Sequence, residues 1–166
     1  MPNKLHTTQE ESIYLSRKYK QGQSLKPNGL WYSIGTEWIS WCFSEMRHWI
    51  EKYSHEIEID YKNILIIETP KDIEDFEKTY GFEIDTTLRS GFSYFQIDWD
   101  KVTKDYSGIE IRNYNEIRCG EILGKRSLSR GLWISAWDVS SGCIWDLSCI
   151  TSVKRHETKL IKGQAE

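Results

Sequence analysis

The stretch Gly131–Ile150, GLWISAWDVSSGCIWDLSCI, constrains the fold more than any other part of the chain. It contains three of the eight tryptophans and two of the four cysteines, arranged as two apolar runs around one acid. Short apolar runs that are separated by turn residues are typical of buried strands. We therefore predict one strand over 132–137, a second over 143–150, and a tight connection between them at 139–142.

Asp138 follows the first of these predicted strands and faces the connection. A carboxylate at the end of a core strand loses hydration, and this loss is costly unless another group pairs with it. Asp138 is therefore either a satisfied structural acid or a functional one.

Length and composition favour one globular domain without a broad phosphate-binding surface. The chain has 166 residues, a formal net charge of −3 and a pI of about 5.9. No apolar run is long enough for a transmembrane helix, and the first residues lack the apolar core of a secretory signal. We expect a cytoplasmic protein without a membrane partner. The four cysteines have no C-x-x-C spacing, so we expect buried thiols and no metal site.

The first half of the chain alternates short strands with two helices. We predict a loose segment over 1–12, a strand over 12–17, a polar loop over 18–28 and a compact strand over 29–33. A helix should begin after Thr36 and run to about Lys52, with an aromatic stripe that packs in the core. Strands are predicted over 53–59 and 63–67, followed by a helix capped by Thr69, with Pro70 at its first position, and ended by Gly81.

The second half is more polar. Residues 82–95 are interpreted as a long loop, 98–106 as a short helix and 108–111 as a strand. Residues 113–130 should form a surface excursion that carries Lys125, Arg126 and Arg130. The predicted domain spans 13–152, and 153–166 would be a charged tail. Clustered strands with early helices favour an α+β fold with antiparallel or mixed sheets over a doubly wound parallel sheet.

The order of these elements resembles the ADP-ribosyltransferase-like superfamily, in particular its small divergent members. Those include the ADP-ribosyltransferase type of anti-CRISPR protein and bacterial ADP-ribosylating toxins. Tyr14–Arg17 falls where such proteins carry a first motif built on His or Arg, and Gly29–Ser33 matches their aromatic strand. The segment Trp137–Trp145 is similar to their last motif, an acid followed by a turn and an apolar strand. The first motif here has no His, and the last acid is Asp rather than Glu.

This resemblance implies two small packed, mostly antiparallel sheets with flanking helices, and transfer of ADP-ribose from NAD to a protein or nucleic acid. Asp138 would be the catalytic acid, with Glu110 as the other candidate, and no metal would be needed. An aromatic wall for nicotinamide would come from Trp31 or Tyr32, since neighbouring strand residues face opposite sides. The remaining residues implied for NAD binding are Ser16, Arg17, Gly29, Ser33 and Trp38.

Two other functions remain open at the level of sequence. The chain could be a binding or inhibitor module that has this fold without the chemistry, because the first-motif His is missing. It could also bind another nucleotide or RNA through the basic residues 125–130, with aromatic stacking. The sequence does not identify the acceptor or the oligomeric state.

Overall fold

In the computed structural model, which describes residues 2–85, 93–117 and 132–158, a seven-stranded mixed sheet organises the chain. Its strands lie in the order β4-β7-β8-β2-β1-β3-β9. They are β1 (Lys4–Thr8), β2 (Leu30–Ile34), β3 (Tyr53–Ile59), β4 (Ile64–Ile67), β7 (Gly108–Ile111), β8 (Ser141–Ile144) and β9 (Ile150–Glu157). The pair β4–β7 is parallel, and the other neighbouring pairs are antiparallel.

A second, two-stranded sheet pairs β5 (Gly81–Asp85) with β6 (Ser93–Ile97). The longer helices of the described residues are α1 (Glu37–Ser44), α2 (Pro70–Tyr80) and α3 (Trp99–Asp105). The α+β class is confirmed. In place of the two small packed sheets that we expected, the described residues form one seven-stranded sheet and one two-stranded sheet. The range 82–95 contains parts of β5 and β6, so it is not the long loop predicted.

Neighbouring strand residues point to opposite faces of the large sheet, and a cluster of buried apolar side chains packs on each face. Trp31, Cys143 and Ile109 form one row across three strands, on the face that packs against α2 and α3. Tyr32, Gly142 and Glu110 form the next row, on the opposite face. β2 therefore carries its two candidate aromatic residues to different sides of the molecule.

Two segments that were expected to be loose or solubilising are strands of this sheet. Lys4–Thr8 lies between β2 and β3, although Leu5 is its one strongly apolar residue. Ile150–Glu157 forms the outer edge, where one side faces solvent and charged residues such as Lys154 and Arg155 are tolerated. Conversely, 12–17 forms no strand, and Tyr14 is 70% exposed.

The two helix predictions had different outcomes. α2 begins at Pro70 with a reciprocal capping box between Thr69 and Asp72, and it ends before Gly81, as predicted. α1 begins after Thr36 but ends at Ser44, because Met46 leaves the helical conformation. A single 3-10 turn, Arg47–Trp49, follows in place of the expected continuation to Lys52.

The segment 132–150 is built differently from the two predicted strands. Leu132–Ser135 is a helical turn, not a strand, and it leaves Trp133 and Trp137 fully buried. The connection ends earlier than expected, since β8 already begins at Ser141. The second predicted strand is divided into β8, a 3-10 turn at Leu147–Cys149 and the start of β9.

Among the described residues, no helix is long and apolar enough to cross a membrane. Some predictions fall outside the described residues, namely those on Cys119, Lys125, Arg126, Arg130 and the end of the tail.

Candidate functional site

A cavity of about 520 Å³ opens on the face of the sheet that carries Trp31. Strands β1 and β2 form its floor, the segment from α1 to Glu51 forms one wall, and residues 137–139 form another. Four tryptophans line it, which are Trp31, Trp38, Trp49 and Trp137. An aromatic cleft of this size with a few polar groups is typical of small-molecule sites.

Trp31 and Trp137 connect the floor of the cavity to the wall formed by residues 137–139. Their ring centroids are 4.6 Å apart with an interplanar angle of 58°, which is a favourable tilted arrangement for aromatic pairs. Trp137 is 1% exposed, so packing in the core fixes the position of its ring. The contact places the residue that follows, Asp138, at the cavity.

Asp138 is partly accessible at the edge of the cavity. Its side chain is 34% exposed, and its Oδ2 lies 3.6 Å from the Nζ of Lys26. The same ammonium lies 5.3 Å from the centre of the Trp31 ring. Lys26 is itself 41% exposed, so the Asp138 carboxylate pairs with this ammonium and still remains accessible to solvent.

The backbone beside Asp138 is held by α1. The Ser140 N–H donates to Glu37 Oε2 at 3.0 Å, so the first residue of the helix fixes the turn that follows the acid. A second carboxylate, Glu51, lines the same cavity. Burial raises the pKa of the Cys42 thiol to about 11, and the negative charges of Glu51 and Asp138 add to the effect. The Glu51 and Asp138 carboxylates therefore both lie close enough to the Cys42 thiol to raise its pKa.

Five of the eight residues predicted from sequence line this cavity, which are Trp31, Tyr32, Ser33, Trp38 and Asp138. The other three do not. Ser16 and Arg17 are exposed, and the Arg17 guanidinium lies over the Tyr19 ring. Gly29 packs so closely against β8 that a Cβ would lie 2.6 Å from the Cys143 sulfur, so its backbone faces another strand.

Two lining residues have polar groups that are already engaged. The Tyr32 hydroxyl donates to Glu110 Oε2 at 2.8 Å on the opposite face of the sheet. The Ser33 hydroxyl donates to the Gly35 carbonyl oxygen at 3.1 Å. Of the two aromatic candidates in β2, Trp31 is therefore the one whose ring borders the cavity at Trp137.

The aromatic stripe of α1 is not the core packing that the sequence predicted. Trp38 and Trp41 are partly exposed, Trp49 is 43% exposed, and Ile39 and Cys42 are the buried residues of the helix. Trp38 stacks on Trp41 with centroids 5.0 Å apart and on Trp49 at 6.0 Å. The 3-10 turn after Met46 brings Trp49 back to this stack, which forms a platform at the cavity.

Glu110, the second candidate acid, lies on the other face and is buried rather than solvated. It is 1% exposed and accepts hydrogen bonds from Tyr32 and from Tyr61, the latter at 2.6 Å. Arg112 pairs with it and also with Glu68 at 2.7 Å. Burial and the Glu110 carboxylate raise the pKa values of both tyrosines. The oxygens of Glu110 are satisfied within the fold, which is the arrangement of a structural acid.

Lys26, His48, Glu51 and Trp137 also line the cavity, although they were not predicted from sequence to do so. Lys26 lies in a polar loop, and its approach to Trp31 depends on tertiary structure. Trp137 directly precedes the candidate acid, and this adjacency was a usable signal. Among the residues that the structure describes, no cluster of three or more His, Cys, Asp or Glu side chains is arranged to hold a metal ion.

No protein-family model matches the chain, and no curated protein or solved structure is significantly similar to it.

Proposed function

We propose that this protein is a mono-ADP-ribosyltransferase that transfers ADP-ribose from NAD to a protein or nucleic acid. One observation supports this function above the others. Asp138 stands partly exposed at the edge of a cavity whose walls include Trp31 and Trp38. A flat nicotinamide ring fits between aromatic walls, and a carboxylate at their edge is suited to the ribose beside it.

The reaction breaks the bond between the ribose carbon and the nicotinamide nitrogen. Nicotinamide departs as a neutral molecule with the bonding electron pair, and positive charge develops on the ribose as in glycoside hydrolysis. The Asp138 carboxylate stabilises this charge and accepts a hydrogen bond from a ribose hydroxyl. A nucleophile of the acceptor then bonds to the ribose carbon and releases its proton to solvent.

Lys26 orients the Asp138 carboxylate before NAD binds, because its ammonium lies 3.6 Å from the carboxylate oxygen. Its loop position allows the side chain to withdraw as ribose arrives. Ser33 would contribute through packing, since its hydroxyl already donates to Gly35. Ser16, Arg17 and Gly29 have no part in this proposal.

Nicotinamide release from NAD tests the function. We expect Asp138→Asn to lower the rate by roughly 100-fold or more, the loss typical of removing one preorganised electrostatic group. Asp100→Asn is the matched control, because Asp100 is an exposed acid in the first turn of α3. Equal release from wild type, Asp138→Asn and Asp100→Asn would contradict the role of Asp138.

A second function is a binding or inhibitor module without catalysis. It is favoured by the engagement of Asp138 with Lys26 and by the exposed position of Arg17 away from the cavity. This alternative predicts neither nicotinamide release nor a rise in Tm with NAD. The transferase predicts a rise of roughly 5–10 °C at 100 times the Kd, from preferential binding to the folded state.

A further inference from the structure

The corner of the cavity formed by Trp31 and Asp138 already holds a cation, the ammonium of Lys26. This group lies 5.3 Å from the Trp31 ring centre and 3.6 Å from the Asp138 carboxylate. An aromatic face and a carboxylate together are the two contacts that stabilise an organic cation. The position of the Lys26 ammonium thus indicates that this corner accepts a positively charged ligand group.

The rest of the cavity lining also combines aromatic rings with a carboxylate. Trp38, Trp49 and Trp137 line the cavity, and Glu51 supplies a second carboxylate. One Glu51 oxygen is buried without a hydrogen-bond partner. With its histidines neutral, the lining carries two carboxylates, Glu51 and Asp138, against the one ammonium of Lys26, so its formal charge is negative. Burial lowers the pKa of His6, so the imidazole at the floor does not cancel this charge near neutral pH.

We infer that this cavity is an aromatic cage for a quaternary ammonium head group, which enters by displacing Lys26 from Trp31 and Asp138. A trimethylammonium group has no N–H donors and is weakly hydrated, so aromatic walls replace its water at small cost. Lys26 is 41% exposed and keeps hydration when it swings outward. After this displacement the Lys26 ammonium is in water, and the trimethylammonium group contacts the indole rings.

The inference concerns binding only and does not depend on ADP-ribosyl transfer. The nicotinamide ring of NAD also carries its positive charge on a nitrogen without N–H, so one cage would serve both ligands. Choline contains no glycosidic bond. Its binding therefore succeeds or fails separately from nicotinamide release.

Calorimetric titration of the full chain with choline chloride tests the cage, and the neutral tert-butyl analogue of choline is the matched ligand. The two have nearly the same shape, and we expect choline to bind at least roughly tenfold more tightly, as cation–π contacts of this kind contribute. Equal binding of the two ligands, or no binding of choline, would overturn the inference.

Substitutions test whether the ligand displaces the Lys26 side chain. Lys26→Met keeps the apolar stem and removes the competing charge, so choline affinity should rise several-fold. Lys62→Met, at an exposed lysine outside the cavity, should leave it unchanged. Asp138→Asn should weaken choline binding while the tert-butyl analogue is unaffected. An unchanged affinity in Lys26→Met would show that the lysine does not occupy the ligand position.

The head group has two natural sources, a small molecule such as choline and a trimethylated lysine side chain in a peptide. A titration with a short trimethyl-lysine peptide, set against the same peptide with unmodified lysine, distinguishes them. Preference for the trimethylated peptide over choline assigns a modified protein as ligand. Preference for choline assigns a small molecule. Failure of both probes overturns the cage.

Discussion

The indole rings of Trp31 and Trp137 lie 4.6 Å apart and connect β2 to the segment that carries Asp138. These residues are far apart in sequence, and their contact defines where the candidate acid meets the aromatic cavity. Trp31 is partly exposed, whereas Trp137 is 1% exposed. Trp137 therefore supports the site from within the core, and Trp31 presents a face to a ligand.

Trp137→Ala should lower the free energy of unfolding by about 3–5 kcal/mol, because it leaves a large cavity in a packed region. Trp41→Ala is the comparison, since Trp41 is partly exposed and outside the cavity lining. We expect it to cost less than half as much. Urea denaturation measures both, and equal losses would show that Trp137 does not have the structural role assigned to it.

Trp38→Ala should weaken NAD binding by about 1–3 kcal/mol, the contribution typical of one aromatic stacking partner. Trp41 stacks on Trp38 with ring centroids 5.0 Å apart but does not line the cavity. Trp41→Ala should therefore affect NAD affinity much less. Calorimetric titration of the two variants checks this, and a larger effect from Trp41 would move the binding surface to the outer side of the stack.

Gly142→Ala should destabilise the fold by about 1–3 kcal/mol through overpacking. A Cβ at Gly142 would collide with the Tyr32 ring, whose hydroxyl donates to the buried Glu110. Gly22→Ala is the matched control, because a Cβ there meets nothing within 4 Å. Chemical denaturation should separate the two variants clearly. Similar stabilities would mean that Tyr32 can move away at little cost.

Stability should fall as the pH rises above about 10, the ordinary pKa of tyrosine. Burial, together with Glu110, raises the pKa values of Tyr32 and Tyr61, so the folded protein retains protons that the unfolded chain releases. Their contribution is complete below the unfolded pKa and is lost as the pH passes through the folded values. Tyr61→Phe should show a shallower fall in unfolding free energy than wild type between about pH 9 and pH 11. Parallel curves would exclude Tyr61 as a source of this dependence.

Sequence patterns predicted the elements whose determinants are local. The Thr69 cap, the proline at the next position and Gly81 located α2 to within a residue, and the alternation over 53–59 located β3. The turn and apolar run after Asp138 predicted β8 less accurately. In each case the relevant interactions are close in sequence.

Elements that depend on tertiary contacts were missed. β1 has few apolar residues and owes its position to backbone pairing with β2 and β3 on both sides. The letters GLW-x-S occur twice, once leading into β2 and once into the helical turn at Leu132–Ser135. A short apolar run fits a strand or a buried helical turn equally well, so its environment decides. The contact between Lys26 and Trp31 has no sequence signal either.

A crystal structure of Asp138→Asn with NAD, in which binding persists while turnover is slowed, would show whether Asp138 lies beside the ribose. We expect electron density for the nicotinamide ring beside Trp31 and Trp38, with the ribose next to residue 138 and Lys26 displaced. Density for NAD on another surface, or an unaltered Lys26 in a cavity without ligand at saturating NAD, would contradict this placement.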